Sequence, residues 1–217
     1  MQLRQKQMLE RKIRILDAAE NLIRETGETE FSVRHLAAAA EVSPATPFNL
    51  FGSKEGLLYE LLLRSLDTVT REGLVFKSDD TAMHALEAVE NAVDFFLEDP
   101  VFLRPLYRVL MGANHPEHRT TFMDGTYSYW QRAADTVIDS SSLKDDRTRN
   151  AVTISLMSHF IGLLEMWVQG DLDDKSFMNS SKLGVMLILF PFVSAKNQKR
   201  LMVIFNELKE DGVRLTQ

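Results

Sequence analysis

Apolar residues recur at every third or fourth position through almost the whole of this chain, the spacing that gathers them on one face of an α-helix. No other feature constrains the fold as much. Only 6 Pro and 10 Gly interrupt the pattern in 217 residues, so an all-α chain of nine to ten helices is expected. Hydrophobic residues make up 45% of the chain, enough to bury a core. Cys is absent, which excludes disulfides, thiolate metal sites and cysteine nucleophiles.

A net charge of −6 argues against a protein that coats nucleic acid indiscriminately, but the charge is unevenly spread. Arg4, Lys6, Arg11, Lys12 and Arg14 against Glu10 give the first fourteen residues +4 and leave −10 for the rest. That asymmetry suits an anion-seeking N-terminal module on an acidic body, or a solvated basic tail. The start of the chain lacks the apolar block of a signal peptide, and the longest late uncharged run, 183–195, is shorter than the ~18 residues of a membrane span. A cytoplasmic protein with no membrane partner is expected.

Ile13, Leu16, Ala19 and Ile23 share one face of a first helix that Gly27 can stop. Ser32 can cap a second, carrying Val33, Leu36, Ala37 and Ala40, after which 41–43 form a tight connection. A short third helix holds 48–51. Ser53 starts a fourth, with Leu57, Leu58, Leu61, Leu62 and Leu66 on its apolar side, ending near Gly73. Short helices joined in this way describe a helix-turn-helix, whose second member enters the major groove of double-stranded DNA. Two prolines restrict how that member begins. With Ser43 as N-cap, Pro47 forfeits a backbone hydrogen bond and pushes Thr46 from helical geometry; with Thr46 as N-cap, Pro47 takes the first helical position without strain. Both starts are compatible with the sequence.

The run V-S-P-A-T-P-F-N-L-F-G-S-K-E-G-L-L, residues 42–58, resembles the tetracycline-repressor (TetR) family of bacterial transcriptional regulators. The usual family pattern there is Val-Ser-x-Gly-Thr-(apolar)-Tyr-x-(His or Tyr)-Phe-x-Ser-Lys-Glu-x-Leu. Val42, Ser43, Thr46, Phe51, Ser53, Lys54, Glu55 and Leu57 match, and the resemblance runs over about 13–61. Ala45, Pro47, Phe48 and Leu50 depart from the pattern. Phe48 stands where the family's tyrosine hydroxyl reaches a phosphate, so a less polar DNA contact is expected. Carried over by position, the resemblance implies phosphate contacts from Thr46 and Lys54. Asn49 is the candidate base reader, because an amide pairs bidentately with adenine. Arg34 and Ser43 could reach backbone or bases, and Pro44 and Ala45 could face the groove without specifying sequence.

The resemblance divides the chain into a DNA-binding domain, 1–52, and a helical ligand-binding and dimerisation domain, 53–217. In the latter, Leu86, Val89, Val93, Phe96 and Leu97 form the stripe of a helix capped at Asp80 or Thr81 and stopped by Asp99-Pro100. Further helices begin near Val101 and Pro116. Runs 147–170 and 182–194 are apolar on nearly every side, as helices buried all round are, and Pro191 should kink or end the second. The resemblance implies that these last long helices form a two-fold interface. Ser155, Ser158 and Gly162 would allow close approach, while Leu187, Ile188, Phe192, Leu201 and Phe205 supply apolar area. Phe96, Leu106, Tyr107, Met111, Phe122, Tyr127, Trp130, His159, Phe160, Leu163 and Trp167 could line a site for a hydrophobic or aromatic small molecule, or be plain core.

Enzyme readings find no support: G-x-S-x-G, H-E-x-x-H and a phosphate-cradling glycine loop are all missing. His115 and His118 flank a proline and lack a third ligand, and Asp171, Asp173 and Asp174 lack the glycine and glutamate of a calcium loop, reading instead as a polar inter-helix loop. No metal or cofactor is expected. The expectation is a homodimeric, ligand-responsive repressor of a palindromic operator, released by its ligand through a shift of helix four, residues 53–72; the alternative is a DNA-binding regulator whose body serves only dimerisation or a protein partner.

Overall fold

The computed structural model describes residues 2–71, 76–112, 116–138 and 145–210. These form ten α-helices and no strand among the described residues. By packing they fall into two units, one of 1–68 with 99–119 and the other of 69–98 with 120–217.

The first unit holds α1 (Gln2–Thr26), α2 (Val33–Ala39), α3 (Thr46–Phe51), most of α4 (Lys54–Arg71) and α6 (Pro100–Gly112). Ile15, Leu16, Ala19, Leu22 and Ile23 of α1 are buried with Leu36 and Ala37 of α2 and Leu57, Leu58, Leu61 and Leu62 of α4. Spacings of three and four residues in each helix produce this core. A ladder of charges runs beside it. Arg64 on α4 binds Asp17 (2.6 Å) and Glu20 of α1, Glu20 also binds Arg24 (2.6 Å), and Arg24 pairs with Asp99 at the start of α6 while lying 4.8 Å from the Phe102 ring. Burial opposes the Glu20 carboxylate, yet its two guanidinium partners hold its pKa below the usual value. Asp99 Oδ1 also accepts the N–H of Phe102, so one carboxylate caps α6 and anchors it to α1.

The second unit contains α5 (Thr81–Glu98), most of α7 (Pro116–Val137), α8 (Asp146–Gln169), α9 (Asp174–Leu189) and α10 (Ala195–Glu210). Helix α9 packs against both α5 and α8. It begins eight residues before the apolar run from 182, because Asp173 caps it by accepting the N–H of Ser176 at 2.6 Å; Asp173 and Asp174 are thus a helix start rather than loop. Pro191 ends it as expected, in a 3₁₀ turn over Phe190–Phe192. Helix α8 is, among the described residues, long and apolar enough to cross a membrane, but 44% of that apolar window is buried within the protein. Its outward face is Ala151, Ile154, Ser155, Ser158, Gly162 and Glu165, so it is not buried all round within its own unit.

Candidate nucleic-acid interface

Ser32 caps α2 by accepting the N–H of His35 at 3.1 Å, and Leu36 and Ala37 anchor that helix from within. The connection turns on Glu41, whose φ of +53° reverses the chain, while the N–H of Val42 returns to Ala37. A second turn follows at once. Thr46 N–H donates to the Ser43 carbonyl at 2.9 Å, with Pro44 and Ala45 between them, so Pro44 supplies the fixed φ that such a turn favours. Helix α3 then starts at Thr46 with Ala45 in the N-cap position and no side-chain cap. Neither hydroxyl fills that role. Ser43 and Thr46 instead share a hydrogen bond with each other at 2.8 Å. Pro47 falls in the first turn, where no N–H is needed, and is buried. Gly52, at φ +74°, closes α3 with its N–H on the Phe48 carbonyl.

The result is a six-residue helix pinned by Pro47 from below, its upper face open. Phe48 is 52% exposed and Asn49 is exposed beside it; Arg34, Ser43, Pro44 and Ala45 are exposed too, and Thr46 is half-buried. The amide of Asn49 is thus available for a base edge and the Phe48 ring for a thymine methyl. Lys54 is held differently. Its ammonium lies 3.6 Å from a Glu30 carboxylate and 4.9 Å from the Phe31 ring, and its side chain is only 23% exposed. Ser53 caps the adjoining turn through the N–H of Gly56. Residues 15–61, which contain all of these elements, match the family model of the bacterial regulatory proteins of the tetR family.

Over this segment the chain is similar to the tetR family. Solved structures of TetR-family regulators share its fold. A TetR transcriptional regulator from Rhodococcus sp. RHA1 aligns over 84% of this chain and 97% of its own, at 16% identity and a TM-score of 0.66. SmeT, the repressor of the Stenotrophomonas maltophilia multidrug efflux pump SmeDEF, aligns over 86% and 92%, at 16% identity and a TM-score of 0.61. A TetR-family regulator from Marinobacter aquaeolei VT8 aligns over 91% and 98%, at 17% identity and a TM-score of 0.55. No curated protein sequence matches the chain. It therefore has the fold of a TetR-family transcriptional regulator with a DNA-binding helix-turn-helix.

Of the residues expected to meet a small molecule, Phe96, Trp130, Phe160 and Trp167 lie together in the second unit, each at most 5% exposed. They pack on one another. Phe160 stands 5.2 Å from Trp130 and 6.2 Å from Phe96, and Trp167 stacks on Phe177 at 5.4 Å while donating its indole N–H to Asp174 at 2.7 Å. Phe122 is also buried there, and Leu163 is half-buried. Leu106 and Tyr107 belong to α6 of the other unit, both buried, and burial pushes the Tyr107 phenol far above its usual pKa. Met111 lies on α6 with its side chain outside the described part, as does His115 entirely. Tyr127 lines an open cavity of about 420 Å³ together with Gln131, Arg147 and Asn150. Its hydroxyl bonds Asn150 at 3.0 Å and accepts from Gln131 at 3.3 Å, partners that sequence periodicity alone did not bring together.

His159 bridges α8 to α9. Its Nε2 lies 3.2 Å from the Ser180 carbonyl, which makes Nε2 the protonated nitrogen, and burial holds its pKa below the ordinary value against the pull of the Ser180 and Ser181 backbone bonds. Gly184 is what lets the ring sit there. A Cβ at 184 would come within 2.0 Å of Nε2. Gly184→Ala should displace the imidazole and break its bond, lowering stability by about 1–3 kcal/mol despite alanine's better helix propensity. A chemical denaturation series checks this. An unchanged or raised midpoint would mean that the ring swings aside at no cost.

The residues expected at a two-fold interface divide into two groups. Ser155, Ser158 and Gly162 lie on the open face of α8, and on α9 Leu187 is 62% exposed beside half-buried Ile188. Phe192 and Phe205 are half-buried in their own unit. Leu201 is different: at 2% exposure it belongs to the unit's own core, since α10 turns it toward α9 and α5.

Proposed function

We propose that the protein is a homodimeric repressor that binds a palindromic operator and is released by a hydrophobic or aromatic small molecule. The observation that carries this reading is the exposed Phe48–Asn49 face of a helix pinned from behind by Pro47, within a segment that matches the tetR family. Two copies joined through α8 and α9 would present two such helices to half-sites about one turn of DNA apart or more. In this reading Asn49 reads a base, Arg34, Ser43 and Thr46 meet the backbone, and Lys54, steadied by Glu30 and Phe31, adds a phosphate contact. SmeT, which shares the fold, is named as a repressor, and that supports the sign of regulation.

Release requires a ligand that prefers the DNA-incompetent spacing of the two helices. Helix α4 leads directly from the helix-turn-helix, and Arg64 and Arg24 tie it through α1 to the start of α6. A ligand that moves either helix would therefore be felt at α3. The mutual packing of Phe96, Trp130, Phe160 and Trp167 favours a second reading, a body that is solid and senses nothing. Native mass spectrometry of protein purified from cells separates the two. A dimer with a discrete extra mass supports the sensor; a dimer without one that gains no thermal stability from a panel of aromatic and lipophilic compounds supports the second reading.

The DNA assignment predicts two different defects. Asn49→Ala should relax preference at one base position of each half-site at a cost of ~1–3 kcal/mol per half-site, whereas Lys54→Ala should weaken binding to all sequences alike and reduce the salt slope by about one for each subunit bound. Fluorescence anisotropy on a selected and a scrambled duplex measures both. If neither substitution alters binding, α3 is not the recognition helix.

A further inference from the structure

The buried part of α1 begins only at Ile15, yet the helix starts at Gln2. Residues 3–14 contain no buried side chain. Their composition explains why they remain helical: Gln, Leu, Arg, Lys, Met and Glu are all strong helix formers, and they extend a helix already nucleated by its packed half. Leu9 and Ile13 precede buried Leu16 by seven and three residues and continue its stripe, so they lie toward the body of the unit although 57% and 45% exposed. Arg4, Arg11 and Arg14, at spacings of seven and three, share the opposite side.

The cations of this segment are not equivalent. Lys6 pairs with Glu10 at 3.9 Å, and Lys12 binds Glu60 at 2.7 Å while lying 5.5 Å from the Phe51 ring at the end of α3. Arg4, Arg11 and Arg14 are exposed and have no ion-pair or hydrogen-bond partner among the described residues. No acidic residue occupies the first turn of α1, where the helix dipole would favour one, so this face gathers positive charge that nothing described in the unit neutralises. Lys12 fixes its place. The Lys12 ammonium reaches the Phe51 ring at the end of α3, so this stretch of α1 runs beside the recognition helix. Arg11 and Arg14 lie within one turn of residue 12 along α1, on its solvent side, and Arg4 about 10 Å further along the axis.

We infer that Arg4, Arg11 and Arg14 form a second DNA contact, binding the sugar-phosphate backbone that flanks the groove occupied by α3; this rests on the DNA-binding reading above. The occupant follows from charge complementarity. An unpaired row of guanidiniums matches the closely spaced phosphates of a duplex, and an acidic protein body of −10 leaves this segment as the concentrated positive charge beside α3. The contact carries no base readout. It would raise affinity for operator and unrelated DNA alike and lengthen the stretch of DNA each subunit covers.

The test replaces all three with glutamine, which retains helix propensity and removes the charge: Arg4→Gln, Arg11→Gln and Arg14→Gln together. Anisotropy titrations over a range of salt concentrations, on a duplex selected by the unaltered protein and on a random-sequence duplex, should show a salt slope smaller by about 5, at roughly 0.9 for each of the phosphates that the three arginines of both subunits no longer neutralise. Sequence preference should be unchanged. A slope equal to that of the unaltered protein overturns the inference while leaving the DNA-binding reading intact, and failure of the unaltered protein to bind any duplex overturns both. Sedimentation with vesicles rich in anionic phosphatidylserine is run in parallel. If vesicle binding is lost in the triple variant while the DNA slope holds, the arginines serve a membrane surface and the inference is overturned.

Discussion

Replacing Trp167 with alanine is expected to lower the free energy of unfolding by about 3–5 kcal/mol and, in a chain of 217 residues, the melting temperature by about 6–20 °C. Trp167 is fully buried, stacks on Phe177 at 5.4 Å and meets Phe96 edge-on at 6.3 Å. Its removal takes the largest kind of side chain from the middle of a cluster whose members touch each other through it. The indole hydrogen bond is the lesser part. Asp174 is exposed, so water can replace the indole as its partner, and Trp167→Phe should therefore recover most of the loss. The same pair of variants tells core from cavity wall. A tryptophan lining a ligand site would be lost at little cost to stability and with a large effect on ligand response, so a melting temperature within a few degrees of the unaltered protein would reject the packed-core account. Thermal unfolding followed by circular dichroism decides the matter.

The contrast between Trp167 and Ser43 shows which features could be read from the sequence. Periodicity and capping are local, so the helix order, the Ser32 cap, the tight connection at 41–43 and the stop at Pro191 were all legible. The start of α3 was not. Ser43 and Thr46 are both good capping residues, but each satisfies the other, and the backbone turn over Pro44 leaves Ala45 in the capping position. The start of α9 was hidden for a related reason. Ser176, Asn179, Ser180 and Ser181 are of residue types that are mostly exposed, yet all four are buried here, where α9 packs against its neighbours. His159 and Gly184 are 25 positions apart, and no pattern within either helix announces that one fits over the other. The same limit applies to Lys54, whose partners Glu30 and Phe31 precede it by more than twenty residues.

The second large effect concerns the outward face of α8 and α9. Leu187→Glu should convert the proposed dimer to monomer and weaken operator binding about 10²–10⁴-fold. The position is 62% exposed in the chain itself, so the substitution should change the stability of an isolated subunit by no more than about 0.5 kcal/mol. In an interface it would bury a carboxylate without a partner, at a cost of several kcal/mol. The neighbouring surface is suited to close helix approach. Ser155, Ser158 and Gly162 follow one another at spacings of three and four on α8, and a Cβ at Gly162 would meet nothing within 4 Å, so there is room for a second helix against the backbone. The loss in DNA affinity follows from linkage alone. A dimer holding one half-site keeps its second recognition helix at high effective concentration over the other half-site, an advantage of about 10²–10⁴ that a monomer forfeits with every DNA contact intact. Analytical ultracentrifugation and anisotropy on one protein sample therefore report two linked quantities. A monomer that still bound the full operator with unaltered affinity would show that the two half-sites are not read together; a Leu187→Glu protein that remained dimeric would place the two-fold interface on some other face.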